Sequence, residues 1–326
     1  MALSIPVTVA VCTFQRPAGL ARALGSLLSQ QPAAAEILVV DNGPGGVAGE
    51  QVQREFPGVR VVREPVPGLD FARNRALAEA TNDIVLFLDD DAVAGDAWVD
   101  NASRALREDP HVGASTGRVE PLTLESKGQQ LFEANGGFSR GTTRIRLPGD
   151  AVKPLHGHRA PLIAWAVSVG SGCGLGVRRA AALEVGGFDQ ALDLGPALPG
   201  GGDHDMLWRL LQAGYDVVYE PKALAHHEHR REVAEAEDQI VGHQRALIAL
   251  LTKQVVQTGG ARRWTVAAFL GWRLIKPGVR LARRLAGRDP LPARLLLRMW
   301  AHCWMGLGSY SRGEALARRR IAEVST

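Results

Sequence analysis

The first 110 residues alternate short β-branched apolar runs with segments of helical spacing, and few folds accommodate that pattern. Residues 7–11, 37–40, 59–62 and 84–88 read as strands. Between them, residues 16–30 put Leu20, Leu24, Leu27 and Leu28 at helical spacing, and residues 70–80 and 96–107 also read as helices. Strands alternating with helices of about 10–15 residues predict an α/β fold with a mostly parallel central sheet flanked by helices. In such sheets ligands bind beyond the carboxyl ends of the strands. Acidic residues sit at two of those ends: Asp41, before Asn42 and Gly43, and the triplet Asp89, Asp90 and Asp91.

Farther along, residues 120–160 carry little periodicity and are expected to form a long excursion or a short hairpin. The longest uncharged run, residues 160–177, contains Pro161 and alternating glycines from Gly170. It reads as a buried strand and a glycine loop rather than a membrane span. Residues 177–185 read as helical up to Gly186 and Gly187. Gly200, Gly201 and Gly202 lead into Asp203, His204, Asp205 and a helix through Gln212. Residues 216–219 read as a strand closed by Pro221, and 231–256 as one long helix. The helical segments beyond are expected to break at Pro277 and at Pro290 and Pro292.

Charge is distributed unevenly. Residues 254–326 hold 14 Lys and Arg against Asp289, Glu314 and Glu323, a balance of +11. The remainder holds 24 basic and 31 acidic residues, a balance of −7. This is not a nucleic-acid-binding chain, because the positive charge is confined to one end. That end also holds Trp264, Trp272, Trp300 and Trp304, four of the seven tryptophans. Arg and Trp on amphipathic helices fit an anionic membrane surface. Packing on the body or dimerisation are the alternatives. The start lacks a basic n-region, and Cys12, Cys173 and Cys303 have no ligand-like spacing, so a cytoplasmic location is expected, with possible attachment to the inner face of the membrane.

The three consecutive aspartates need a neutralising positive charge or a solvated loop. A hard divalent cation, Mg²⁺ or Mn²⁺, would supply it and bridge a diphosphate. Asp41 has the form of a base-recognising carboxylate or of an ordinary Asx turn. Arg73 and Asn74 lie on the helix that Asp70 is expected to cap, facing a ribose or phosphate, or else plain surface. Asp203 is a general base or a helix cap. In the cluster His226, His227, Glu228 and His229, one metal ligand is expected rather than three. Trp165 and Trp208 are ordinary core residues unless a ligand ring stacks on them, and the segment 170–176, with Gly172 and Cys173, reads as a glycine loop.

These segments together resemble the family 2 glycosyltransferases of GT-A fold. The similar stretches are Val9 to Arg16, Val39 to Gly43, Gly68 to Asn74 and Phe87 to Asp91. Then come Gly186 to Asp189, Gly202 to Asp205 with Arg209 and Gly214, and Val218 to Pro221 leading to His227. The resemblance implies a catalytic domain over residues 1–230, with 1–118 binding the nucleotide-sugar and 119–230 supplying the base and the acceptor side. Residues 231–326 would be a basic helical extension.

By the same resemblance, Thr13 and Arg16 border the nucleotide base and Asp41 bonds it. Arg73, Asn74 and Asp90 lie near the donor. Asp89 and Asp91 end an Asp-x-Asp motif, with Asp91 the direct metal ligand, Asp89 near the ribose and the metal, and His227 the distant metal ligand. Asp203 is the base and His204 its reserve; Gly172, Cys173, His204 and Asp205 lie on the acceptor side, where Trp165 or Trp208 would stack on a sugar ring. The implied reaction is inverting transfer of one sugar from a nucleotide-sugar, a UDP-sugar favoured, to a saccharide or lipid-linked acceptor. Two departures stand out. The base motif commonly reads Gly-Glu-Asp, and Gly202 replaces the Glu. The processive Gln-x-x-Arg-Trp signature is absent, since Gly260 precedes Arg263 and Trp264. The rivals are an inactive membrane-attached scaffold and a sugar nucleotidyltransferase, whose Gly-rich phosphate loop is missing at residues 13–17. No Gly-x-Gly-x-x-Gly follows the first strand, which disfavours a dehydrogenase.

Overall fold

The computed structural model describes residues 4–149 and 162–325. Its first half follows the expected alternation: β1 (Ile5–Thr13), α1 (Pro17–Leu28), β2 (Ala34–Asp41), α2 (Val47–Glu55), β3 (Arg60–Arg63), α3 (Leu69–Glu79) and β4 (Ile84–Phe87). Helix α2, for which no sequence signal was read, buries only the small residues Ala48 and Gly49 with Val52. After it come β5 (Ala92–Ala94), α4 (Trp98–Glu108), β6 (Val112–Pro121), α5 (Lys127–Ala134) and β7 (Ile145–Leu147). The remaining elements are α6 (Leu162–Val169), β8 (Leu175–Arg178), α7 (Arg179–Glu184), α8 (Gly202–Gln212), β9 (Asp216–His227), α9 (Val233–Gln257), α10 (Gly260–Leu285), α11 (Ala293–Gly306) and α12 (Ser309–Ser325).

The described strands form one sheet in the order β3-β2-β1-β4-β8-β6-β9-β5, with β7 paired to β9. The β3-β2-β1-β4 portion is parallel. Beyond β4 the sheet is mixed, because β8 runs antiparallel to both β4 and β6 while β6 and β9 are parallel. Both faces are covered. Val7, Val9 and Val11 pack with Leu20, Leu24, Leu27 and Trp98 on one face. Ala10, Val85 and Phe87 pack with Ala72, Leu77, Leu207 and Leu211 on the other. Alternate residues of a strand point to opposite faces, so a strand buried on both sides must be apolar throughout.

Three local expectations are corrected. Residues 162–169 of the uncharged run form the helix α6, and the strand begins only at Leu175. Pro221 does not close β9. The strand continues to His227 because a register shift beside Gly117 places Gly117 opposite Glu220 and Arg118 opposite Leu224, so an irregularity absorbs the proline. Pro277 lies inside α10 and does not break it. A proline there deprives the carbonyl four residues earlier of its partner. That carbonyl, on Arg273, instead accepts a hydrogen bond from Cys303 Sγ of α11 at 3.7 Å.

The C-terminal helices pack onto the body. Lys253 Nζ and Gln254 Nε2 of α9 donate to Asp205 Oδ1 at 2.7 and 2.6 Å. Arg320 Nη1 of α12 donates to the Pro67 carbonyl at 2.6 Å. No helix among the described residues is long and apolar enough to cross a membrane.

Candidate active site

At the carboxyl end of the parallel strands lies a cleft of about 960 Å³. It is lined by Thr13, Arg16, Arg73, Asp89, Asp90, Asp91, Gly172, Cys173, Asp203 and His227. The acids arrive on the segment after β4. His227 arrives from far along the chain through sheet register: β9 runs antiparallel to β5 with His227 opposite Ala92, one residue past Asp91. One ligand atom from each of Asp89, Asp91 and His227 lies within 4.8 Å of the others. His227 Nε2 is 3.2 Å from Asp91 Oδ1. Two carboxylates and an imidazole suit Mn²⁺ or a similar divalent ion. The other Asp91 oxygen, Oδ2, pairs with Arg16 and lies 3.9 Å from Arg230, which leaves the Oδ1 side to the cluster. The donor set therefore fits a divalent cation.

The central Asp90 faces the other way. Its Oδ2 accepts from Thr13 Oγ1 at 2.8 Å, and Oδ1 pairs with Arg16 at 3.2 Å. Burial, then the charge of Asp91, pushes the Asp89 carboxyl up to about 6. Burial acts the same way on Asp91, but His227 and Arg16 outweigh it and hold that carboxyl well below the usual range.

Asp203 lies in the first turn of α8, whose N-cap is Gly201. It is therefore not the cap. Its Oδ1 accepts from the His204 backbone N–H at 2.7 Å and lies 3.2 Å from His204 Nδ1. Burial opposes its charge, but His204 and Arg73 prevail and keep it ionised. Arg73 is buried over the Phe188 ring, its Nη1 3.0 Å from Asp70 Oδ1 and 3.6 Å from Asp193 Oδ2. Gly172 is required here, since a Cβ at that position runs into the Arg73 guanidinium.

Asp70 is not the cap of α3 either; Gly68 holds that place and Asp70 is wholly buried. Its carboxylate accounts for the departure at position 202. A Cβ on Gly202 would fall 2.5 Å from Asp70 Cγ, so the space of a residue-202 side chain is already filled from α3. Among the described residues, Asp70 Oδ2 has no hydrogen-bond partner.

Other expected site residues lie elsewhere. Asp41 is buried outside the cleft lining, its two oxygens accepting from the backbone N–H groups of Gly43 and Gly49 at 2.9 and 2.7 Å. Asn74 clasps the Phe188 backbone through both ends of its amide, at 2.9 and 2.7 Å, and lines a smaller cavity of about 410 Å³. Asp205 is fully buried and bound to Arg209 and Lys253. Trp208 is a core residue packed with Leu247, Leu251 and Val266. These four are committed to internal partners and do not reach the main cleft. His204 flanks Asp203 without lining the cleft, and the side chain of Trp165 lies outside the described residues.

The sequence reading missed Asp193, Phe138, Arg230 and the α9 wall of the cleft, Glu235, Asp238, Gln239 and His243. None of them carries a motif; only proximity in three dimensions finds them.

The sequence model of the family described as "Glycosyl transferase family 2" matches residues 8–186, more than half of the chain. The chain belongs to glycosyl transferase family 2. Among curated proteins, the chain is 28% identical over 285 residues to the pre-mycofactocin glycosyltransferase of Mycobacterium tuberculosis, in strains CDC 1551 / Oshkosh and ATCC 25618 / H37Rv. The match covers 85% of this chain and 54% of the relatives, so the chain spans about half their length. Among solved structures, the mannosyltransferase PcManGT from Pyrobaculum calidifontis, in complex with GDP-Man and Mn²⁺, aligns with a TM-score of 0.57 at 18% identity. That alignment covers 96% of this chain and 87% of the other. GalNAc-T7 with UDP, GalNAc and Mn²⁺ aligns at 0.52 and 13% identity, over 89% of this chain and 59% of the other. Both likenesses support the GT-A fold of this family 2 glycosyltransferase.

Proposed function

We propose that the protein transfers a single sugar, with inversion, from a nucleotide-diphosphate sugar to an acceptor hydroxyl. The observation that carries this reading is the convergence of Asp89, Asp91 and His227 with Arg73 and Asp203 around one cleft. Asp89, Asp91 and His227 would hold a divalent cation, Mn²⁺ or Mg²⁺, which would supply positive charge against the leaving diphosphate. Asp203 is the base. Its Oδ1 is engaged by His204, so Oδ2 receives the acceptor proton as the acceptor oxygen bonds to the anomeric carbon and the bond to the diphosphate breaks. The hydroxyl becomes acidic only as that bond forms, so a carboxylate of low proton affinity suffices if it is ionised and in place. Arg73, held charged by Asp193, Asp70 and Asp203, lends positive potential to the donor side.

The donor nucleotide is read as UDP, with GDP tested beside it, since one structural neighbour holds UDP and the other GDP-Man. Residues 1–118 bind the donor and residues 119–230 supply the base. The acceptor side extends into residues 231–326 through Glu235, Asp238, Gln239 and His243. A saccharide or lipid-linked acceptor fits that polar wall, and pre-mycofactocin, which the relatives' name specifies, joins the screen.

The extension also supports peripheral attachment to an anionic bilayer. Trp264, Trp272, Ile275 and Val279 lie on one exposed face of α10, and Leu297, Trp300 and Trp304 on one exposed face of α11. Trp300 packs beside Gly278, which makes the two faces continuous. Arg263, Arg283, Arg284, Arg288 and Arg294 are exposed around them, whereas Asp289 is buried against Arg280.

The test is release of nucleoside diphosphate from UDP- and GDP-sugars with Mn²⁺ and an acceptor panel. Asp203→Asn is expected to lower turnover by about 10²–10⁴-fold while donor binding survives. Asp91→Ala is expected to lose metal-dependent donor binding. Near wild-type turnover in Asp203→Asn would remove the base assignment.

A further inference from the structure

Behind His227 stands a second pair of groups for which the proposed transfer has no use. His227 Nδ1 faces His229 Nδ1 at 3.0 Å, and His229 Nε2 lies 2.8 Å from Glu133 Oε1. The three side chains come from the end of β9, the segment after it, and α5. His227 and His229 are buried, and their rings are held in place by aromatic neighbours. Phe138 meets His227 edge-on with centroids 5.1 Å apart, and Phe132 stacks at a tilt on His229 at 4.8 Å. Gly137, at φ 49°, clears the space Glu133 needs, because a Cβ there would lie 2.6 Å from its Oε2.

The order of these atoms determines where the protons sit. A neutral imidazole has one N–H and one lone pair. An ionised carboxylate only accepts, so the His229 proton lies on Nε2, toward Glu133. His229 Nδ1 is then an acceptor, and the contact with His227 requires the His227 proton on Nδ1. In the neutral ring that a metal would bind, the His227 lone pair therefore lies on Nε2, the atom 3.2 Å from Asp91 Oδ1 and in reach of the cation site. With the chain reversed, Nε2 would carry the hydrogen and could not ligate a metal.

We propose that Glu133 and His229 are positioning residues that fix the tautomer and ring orientation of His227 as a metal ligand. The inference rests on the reading of His227 as a ligand. An outer partner of this kind typically contributes 10–100-fold in metal affinity. Sequence spacing does not reveal it. The pair 227 and 229 is legible as His-x-His, but Glu133 lies in the weakly periodic segment and meets the histidines only through packing of α5 beside β9 and α9.

The experiment measures binding of Mn²⁺ alone to the full chain, by the electron paramagnetic resonance signal of free Mn²⁺, without donor. His229→Phe and Glu133→Ala are expected to weaken binding by about 10–100-fold. His229→Gln is expected to stay within a few-fold of wild type, since its amide accepts through oxygen and donates through nitrogen along the same line. A chain whose histidines merely pack would show the opposite ranking, with Phe tolerated and Gln not. Wild-type affinity in His229→Phe, or equal weakening in His229→Gln and His229→Phe, overturns the proposal. If His229→Phe does not fold, the comparison of His229→Gln with Glu133→Ala decides in the same way. His227→Ala separates the two levels. Unchanged Mn²⁺ affinity there removes the ligand itself, whereas weakened binding there with wild-type affinity in His229→Phe removes only the relay.

Discussion

Gly202→Ala adds a single carbon at the start of α8 and should be among the most disruptive methyl additions in the chain. The new Cβ would stand 2.5 Å from Asp70 Cγ, where unstrained carbons sit about 3.5–4.0 Å apart. One group must move by about 1 Å. Asp70 has little freedom: it is fully buried and bound to Arg73 at 3.0 Å, and Arg73 is itself buried between Asp193 and the Phe188 ring. Gly202 is tied too, its N–H donating to Asp193 Oδ2 at 2.7 Å. Overpacking alone costs about 1–3 kcal/mol, and rupture of the buried Asp70–Arg73 pair about 3–5 kcal/mol. The expected loss lies between those figures, at about 2–4 kcal/mol, and at roughly 1.5 °C per kcal/mol for a chain of 326 residues the melting temperature falls by about 3–6 °C. The assay is a double-mutant cycle with Asp70→Ala, read by thermal and urea unfolding. Removing the carboxylate makes room for the methyl, so the two changes should be less than additive by about 1–3 kcal/mol. Asp70→Ala is expected to weaken donor binding by releasing Arg73, and adding Gly202→Glu, which restores the common Gly-Glu-Asp pattern, should regain it. Wild-type melting of Gly202→Ala, or strict additivity in the cycle, would show that the two positions do not compete for one space.

His243, on the cleft wall against Phe132 and Phe138, is lowered to about 4, chiefly by burial. An unfolded histidine takes up its proton near 6.5. The folded chain stays neutral there, so stability that is full above pH 6.5 is lost as the pH falls toward 4. The loss reaches about 2 kcal/mol by pH 5. His243→Gln should flatten that acid limb relative to wild type in melts at pH 7.5 and 5, while His204 and His227, both shifted upward, act equally in the two proteins. Parallel pH profiles would refute it. For the exposed tryptophans of α10 and α11, flotation should recover the protein with anionic vesicles, less with neutral ones, and less again after Trp264→Ser with Trp272→Ser; equal recovery with both lipids would dismiss the electrostatic part.

The amino-acid pattern alone determined most of the alternating elements of the first 110 residues, because strand and helix periods are local and both sheet faces demand apolar side chains; α2 and the three-residue β5, which bury few large apolar side chains, escaped it. It also exposed the Asp89–Asp91 triplet, Asp203 and the histidine cluster, whose residue types are costly to hold together without a purpose. What it left open were choices among neighbours. Asp41 and Asn74 carry plausible donor-binding chemistry, and each also holds backbone groups that no spacing rule announces. Trp208 and Asp205 sit at α8 positions that turn inward, so helix phase decided against them. Pro221 and Pro277 are breakers by local rule, but a bulge against β6 absorbs one and Cys303 satisfies the carbonyl orphaned by the other.

The metal cluster, the substitution at Gly202 and the Glu133 relay belong to the tertiary structure. Each depends on distant segments reaching one point: β9 pairing with β5 carries His227 to Asp91, α3 delivers Asp70 into the space of an α8 side chain, and α5 brings Glu133 behind the histidines. Local periodicity fixes which elements form and which faces they bury. Register and packing between elements far apart in the chain fix which side chains meet, and the chemistry is decided at that second level.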